Sequence, residues 1–146
     1  MVQGILAGIA VVAFIVWLAR RESRAKALKV QEAFAGRESL TPEAFFDRYF
    51  LGLGVAPEIV SGIRKILEEQ LAADMSRLQA EDDFSKNLSF FWHFDSLANV
   101  EIVLAIEDHF QIKIEDAEAE RTHTVSELVQ LVSRKVGRPI AFRPNI

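Results

Sequence analysis

The chain opens on an apolar run with no polar interruption. Residues 4–19 read GILAGIAVVAFIVWLA, and residues 1–19 carry no charge. As a helix that run spans roughly 28 Å, about the thickness of a bilayer's hydrocarbon core. Trp17 lies near the charged end, where an interfacial aromatic belongs, and Arg20, Arg21 and Arg24 follow directly. Basic residues after the span keep that side in the cytoplasm. The pattern therefore predicts a single-pass anchor at residues 1–19 in the inner (cytoplasmic) membrane, with the body of the chain inside the cell. A cleaved signal peptide wants its basic residues before the apolar run and a small-x-small site after it. Here the basic cluster comes after, and Trp17-Leu18-Ala19-Arg20-Arg21 offers a poor cleavage site.

Beyond the anchor the apolar positions take the helical period. Residues 20–35 are rich in Ala, Arg, Lys and Glu, which continues a helix until Gly36 stops it. Thr41-Pro42 starts a short helix carrying Phe45, Phe46, Tyr49 and Phe50 as i, i+4 pairs, an aromatic stripe for packing. Gly52, Gly54 and Pro57 form a break. Ile59, Ile63, Ile66, Leu67 and Leu71 mark an amphipathic helix over 58–72. A polar loop follows, with Leu78 and Phe84 as apolar anchors, then the aromatic patch LSFFWHF at 88–94. Asp95 is expected to cap the next helix, whose apolar set is Leu97, Val100, Val103, Leu104 and Phe110. Residues 115–120 form an acidic turn of helix. Thr124 and Glu127 have capping-box spacing ahead of a last helix that Gly137 and Pro139 close. No strand pattern competes. The expected organisation is an anchor at 1–19, a basic juxtamembrane helix and linker at 20–39, a short aromatic helix and loop at 40–57, a helical domain at 58–137 and a tail at 138–146.

Composition narrows the chemistry. There is no cysteine, which excludes disulfides, thiolate metal sites and a cysteine nucleophile. His93, His109 and His123 are scattered without metal-ligand spacing, so no metal site is expected. Net charge is −4, split unevenly. Residues 20–37 hold six basic and two acidic side chains, whereas residues 38–146 hold 19 acidic and 11 basic. An acidic body argues against a nucleic-acid partner and for partners with basic docking surfaces. Ser96 has His93 and Asp95 nearby, but no G-x-S-x-G elbow surrounds it. Without triad geometry, no catalytic residue is assigned.

At Asp95-Ser96-Leu97 the pattern meets a motif. The stretch DSLANVEIVLAIEDHFQIKIEDAEAERTHTV resembles the second and third helices of acyl carrier proteins. The matching features are the D-S-L triplet, Val100-Glu101-Ile102-Val103, Glu107-Asp108-His109-Phe110, Asp116-Ala117-Glu118-Ala119-Glu120 and Thr124-Val125, in family order. Upstream, IRKILEEQL at 63–71 resembles the family's first helix. His93 stands where the family usually has glycine, Ala98 where an acid is common, and Glu115 where proline is common.

The resemblance implies an all-α, acyl-carrier-like four-helix bundle behind a transmembrane helix and a basic juxtamembrane helix. It implies that Ser96, flanked by Asp95 and Leu97, carries a covalent 4′-phosphopantetheine attached by a phosphopantetheinyl transferase. It further implies that Glu101, Glu107, Asp108 and Glu118 dock on acyl-transferring or acyl-activating enzymes. A serine at a helix N-terminus suits this use, because the attached phosphate sits at the positive end of the helix dipole. The function expected is a membrane-anchored carrier of acyl thioesters rather than an enzyme, in lipid or fatty acid biosynthesis. The alternative is an unmodified module of the same fold that tethers a partner to the membrane.

Overall fold

The computed structural model describes residues 2–137; the expected tail at 138–146 lies outside them. The chain divides into two compact units, residues 1–35 and 36–146.

The first unit is one helix, α1 (Val2–Ala33). The apolar and the basic stretches run together without a break, since no Pro or Gly interrupts the Ala-, Arg- and Lys-rich stretch after Ala19. Its apolar half has a mean hydropathy of 2.4 and is long enough to cross a membrane. No residue of α1 is buried. Trp17 sits at the border between apolar and charged residues. Its ring stacks near Phe14 with centroids 6.0 Å apart, and the Arg21 guanidinium lies 5.6 Å above it. Gly36, at φ +75°, supplies the left-handed residue after the helix end.

In the second unit α2 (Pro42–Tyr49), α3 (Pro57–Leu71), α4 (Phe91–Phe94), α5 (Ala98–Phe110), α6 (Asp116–Glu120) and α7 (Val125–Val136) make an all-α bundle among the described residues. Helix α3 is central and packs against α2, α5 and α7. It buries Ile59, Val60, Ile63, Ile66, Leu67 and Leu71, the expected stripe with Val60 added. A Cβ on Gly62 would come within 2.9 Å of the Phe110 ring, so this glycine lets α3 and α5 approach closely.

The aromatic stripe of α2 docks on the bundle, with Phe45 as its hub. The Phe45 ring meets those of Tyr49 and Phe50 at 5.2 and 5.8 Å, and the Arg64 guanidinium lies 5.4 Å above it. Phe46 is only half-buried, so the expected Phe46/Phe50 pairing gives way to Phe45/Phe50. Two expected caps are present. Thr41 Oγ1 accepts the Ala44 N–H, and Thr124 and Glu127 close a capping box at the start of α7.

The face of α5 turned inward is only in part the expected one, with Val103 and Phe110 half-buried. The helix buries Ala98, Ile102 and Ile106, while Leu97, Val100 and Leu104 are more than half exposed. Ala98, Ile102 and Ile106 are an i, i+4, i+8 stripe, and so face one way. The larger apolar residues had obscured it in the sequence.

The segment between α3 and α4 is a packed strap rather than a polar loop with two anchors. Met75, Leu78 and Leu88 are fully buried, whereas Phe84 is half-buried. At its centre lies Asp82, whose side chain is 3% exposed. Arg37 Nη1 and Nη2 donate to its two oxygens at 2.7 and 2.9 Å. The Gln79 N–H and the Asn87 amide donate at 2.8 and 2.9 Å. The strap also pairs with the entry to α7. Phe84 N–H donates to His123 O, and Val125 N–H to Asp82 O.

A buried charge stripped of its partner is strongly destabilising. Arg37→Met is therefore expected to lower stability by about 3–5 kcal/mol, read from urea unfolding of the full chain in micelles by near-ultraviolet circular dichroism. Adding Asp82→Leu should recover most of that loss. A double variant no more stable than the single would contradict this account of the pair.

Candidate functional site

The corner between α4 and α5 holds Asp95, Ser96 and Leu97. Asp95 is extended (φ −147°, ψ 103°), and its N–H closes α4 on Phe91 O at 3.1 Å. Its Oδ1 accepts the Leu97 N–H at 3.0 Å, and its carbonyl accepts the Ala98 N–H at 3.3 Å. The result is an Asx turn. Asp95 is thus not the N-cap expected from sequence. That place falls to Leu97, whose side chain makes no cap, and Asp95 acts two residues upstream. Ser96 is exposed, one residue before the N-cap of a 13-residue helix. An exposed hydroxyl there is open to an incoming phosphoryl group. The positive end of the α5 dipole favours the negative charge of a phosphodiester. The residues present therefore fit a serine-linked phosphate.

From this corner one face of α5 runs outward. Leu97, Val100, Glu101, Leu104 and Asp108 follow i, i+3, i+4 spacing and share that face. Leu97, Val100 and Leu104 are 63, 52 and 57% exposed, and Glu101 and Asp108 are exposed as well. A mixed apolar and acidic stripe thus begins at the serine.

The other two expected acids are engaged within the fold. The Glu107 side chain is 14% exposed; its Oε2 accepts the Ile114 N–H at 3.0 Å and faces Lys113 Nζ at 3.5 Å. It closes the connector between α5 and α6. Glu118 pairs with Lys135 at 2.7 Å and accepts the Glu115 N–H at 3.0 Å. The Lys135 contact, then that backbone hydrogen bond, hold the Glu118 carboxyl below its usual range. Among the described residues no group of His, Asp or Glu is placed to hold a metal ion.

Beside the corner lies a cleft of about 210 Å³, which the sequence did not reveal. Its walls are largely hydrocarbon: Leu67 from α3, Ile102 and Val103 from α5, Ile114 from the connector, Leu128 and Leu131 from α7. Phe84 and Trp92 close another side, and Asn99, Ala119, Glu120, Thr122 and Thr124 complete it. The signal available in sequence was the aromatic patch before Ser96, which reads equally well as core.

Residues 61–132 match the family model for a phosphopantetheine attachment site. The chain is 33% identical over 79 residues to an acyl carrier protein of Thermosynechococcus vestitus, covering 54% of this chain and 93% of that protein. It is 38% identical over 80 residues to one from Picosynechococcus sp., covering 55% of this chain and 94% of that protein. To one from Caulobacter vibrioides it is 37% identical over 78 residues, covering 53% of this chain and 95% of that protein. The chain belongs to the acyl carrier protein family. This acyl carrier protein is a carrier rather than an enzyme, and its prosthetic group is a covalently attached 4′-phosphopantetheine.

The connector after α5 gives a local test. Glu107→Ala removes the acceptor that holds the Ile114 N–H, at a cost of about 1–3 kcal/mol for a part-buried bond to a charged group. Amide hydrogen exchange at Ile114 should accelerate, while exchange in α3 stays as it was. Unchanged exchange at Ile114 would show that the carboxylate does not hold the connector.

Proposed function

We propose that this carrier is membrane-anchored and bears its phosphopantetheine on Ser96, with Asp95 and Leu97 shaping the attachment turn. The observation that carries the reading is that Ser96 is exposed immediately ahead of α5, in a turn pinned by Asp95. In the attachment step the Ser96 oxygen forms a bond to the coenzyme A phosphorus that bears the pantetheine. The phosphorus–oxygen bond to adenosine 3′,5′-bisphosphate breaks, and the serine proton passes to a base of the transferase. Once attached, the arm supplies a thiol that holds acyl groups as thioesters.

Partner docking falls to the α5 stripe. Leu97, Val100 and Leu104 offer apolar contact, and Glu101 and Asp108 offer charge to basic surfaces. The phosphopantetheinyl transferase and acyl-transferring or acyl-activating enzymes, in lipid or fatty acid biosynthesis, are the partners that fit. Glu107 and Glu118 support this surface from behind, through the connector and the α6 turn, and add negative potential. The cleft shelters the carried chain.

For α1, an apolar helix with no buried residue supports the anchor reading, because such a surface is costly in water. Residues 1–19 span the inner membrane, and Arg20, Arg21 and Arg24 keep the carrier domain at 58–137 in the cytoplasm. Residues 20–39 link the two, and residues 40–57 form the short aromatic helix and loop. The acidic body is unsuited to nucleic acid.

Coexpression with a phosphopantetheinyl transferase should add the mass of one arm to the full chain, and Ser96→Ala should abolish the gain. A gain that survives Ser96→Ala would move the attachment off Ser96, and no gain with any transferase would sink the carrier assignment and leave the unmodified tether. Glu101→Lys is expected to lower kcat/KM for the transfer about tenfold, as loss of one complementary charge does. On cell fractionation the full chain should sediment with membranes, and a chain lacking residues 1–19 should stay soluble.

A further inference from the structure

We propose that Trp92, braced by Phe84, is the side chain that limits how long an aliphatic acyl chain the cleft accepts. The inference rests on the acyl-carrier reading of Ser96. The cleft, at about 210 Å³, is smaller than the roughly 300–1,000 Å³ of a pocket that encloses a drug-sized ligand. Its hydrocarbon walls suit an unbranched acyl chain and disfavour a buried charge.

Two lining residues bracket Ser96 along the chain. Trp92 lies four positions before it and Asn99 three after, and both line the cleft, which ties the cleft to the segment that carries Ser96. Asn99 sits on the first turn of α5. Trp92 is held more firmly than packing alone would hold it. Its indole N–H donates to Phe84 O at 2.9 Å, and the two rings lie 5.8 Å apart at 38°. The same Phe84 is fixed on its other side, its N–H donating to His123 O at 2.9 Å just before α7. Indole, Phe84 peptide and the α7 entry therefore form one brace along the cleft. A chain that outgrows the cleft must break this brace or leave. A smaller side chain at position 92 removes the obstruction.

The test uses the full chain in micelles with Trp17→Phe, which leaves Trp92 as the one tryptophan. Butanoyl, octanoyl or hexadecanoyl arms are loaded from the corresponding acyl-coenzyme A, with loading confirmed by intact mass. Trp92 emission and its quenching by acrylamide are read beside the thermal midpoint. Octanoyl loading should shift the emission to the blue, reduce quenching and raise the midpoint above that of the butanoyl form. Hexadecanoyl should add no further rise. In Trp92→Leu the hexadecanoyl form should become the more stable, and Trp92→Phe should fall between. Emission and quenching indifferent to a loaded chain would overturn the proposal, even if neither variant folds. So would the same length dependence in wild type and Trp92→Leu. Absence of loading itself strikes at the reading of Ser96, and the proposal falls with it.

Discussion

The carrier domain is organised around one charge held almost out of water. Asp82 is 3% exposed in its side chain, and stripping a carboxylate of water costs several kcal/mol unless its oxygens find donors. Here each oxygen has two, one from Arg37 and one from the strap itself, at Gln79 N–H or the Asn87 amide. That arrangement turns a stretch with few apolar residues into a defined path. Residues 79–87 wrap the carboxylate, which brings Asp82 O to Val125 N–H and Phe84 N–H to His123 O. It also places the Phe84 carbonyl under the Trp92 indole, four residues from Ser96. The strap thus sets both a wall of the cleft and the path of the chain into the corner that holds Ser96.

A second constraint acts on α5, which serves two surfaces at once. Its inner stripe is small or β-branched, Ala98, Ile102 and Ile106, and lets the helix lie close to α3. Gly62 marks how close, with the Phe110 ring where its side chain would be. Its outer stripe keeps large apolar residues in water. Leu97, Val100 and Leu104 exposed in a row have no role in the core. Apolar area left uncovered on a well-packed domain points to a surface that other proteins cover. The acids Glu101 and Asp108, interleaved on the same face, add long-range attraction that contact alone lacks.

These two constraints explain what could be read from the chain. Period and caps made α2, α3, α5 and α7 legible. The Ile59–Leu71 stripe and the Thr124–Glu127 box stand in the structure as the spacing implied. The D-S-L triplet located the corner, because its residues are contiguous and act locally. Three features escaped. The orientation of α5 did, since hydrophobicity marks apolar residues and does not say whether bundle or partner covers them. The Asp82 pair did, since its partner stands 45 residues away in an unremarkable basic segment. The cleft did, since its walls come from α3, α5, α7 and the strap, and each wall residue looks like ordinary core in its own segment. Local rules recovered local structure, and what depended on separate segments meeting in space did not show.

The division of Glu101, Glu107, Asp108 and Glu118 follows the same logic. In sequence they form one acidic run. In the fold two are drawn inward, because a connector with exposed N–H groups competes for carboxylates. Glu107 satisfies Ile114, and Glu118 satisfies Glu115 while pairing with Lys135. The two left exposed, Glu101 and Asp108, are on the face that begins at Ser96. A carrier needs its recognition charge near the arm, since a partner must dock and reach the thioester in the same encounter. Acids consumed in holding the α5–α6 connector rigid serve that need indirectly. They fix the end of the helix that displays the exposed stripe, so the stripe is held in order.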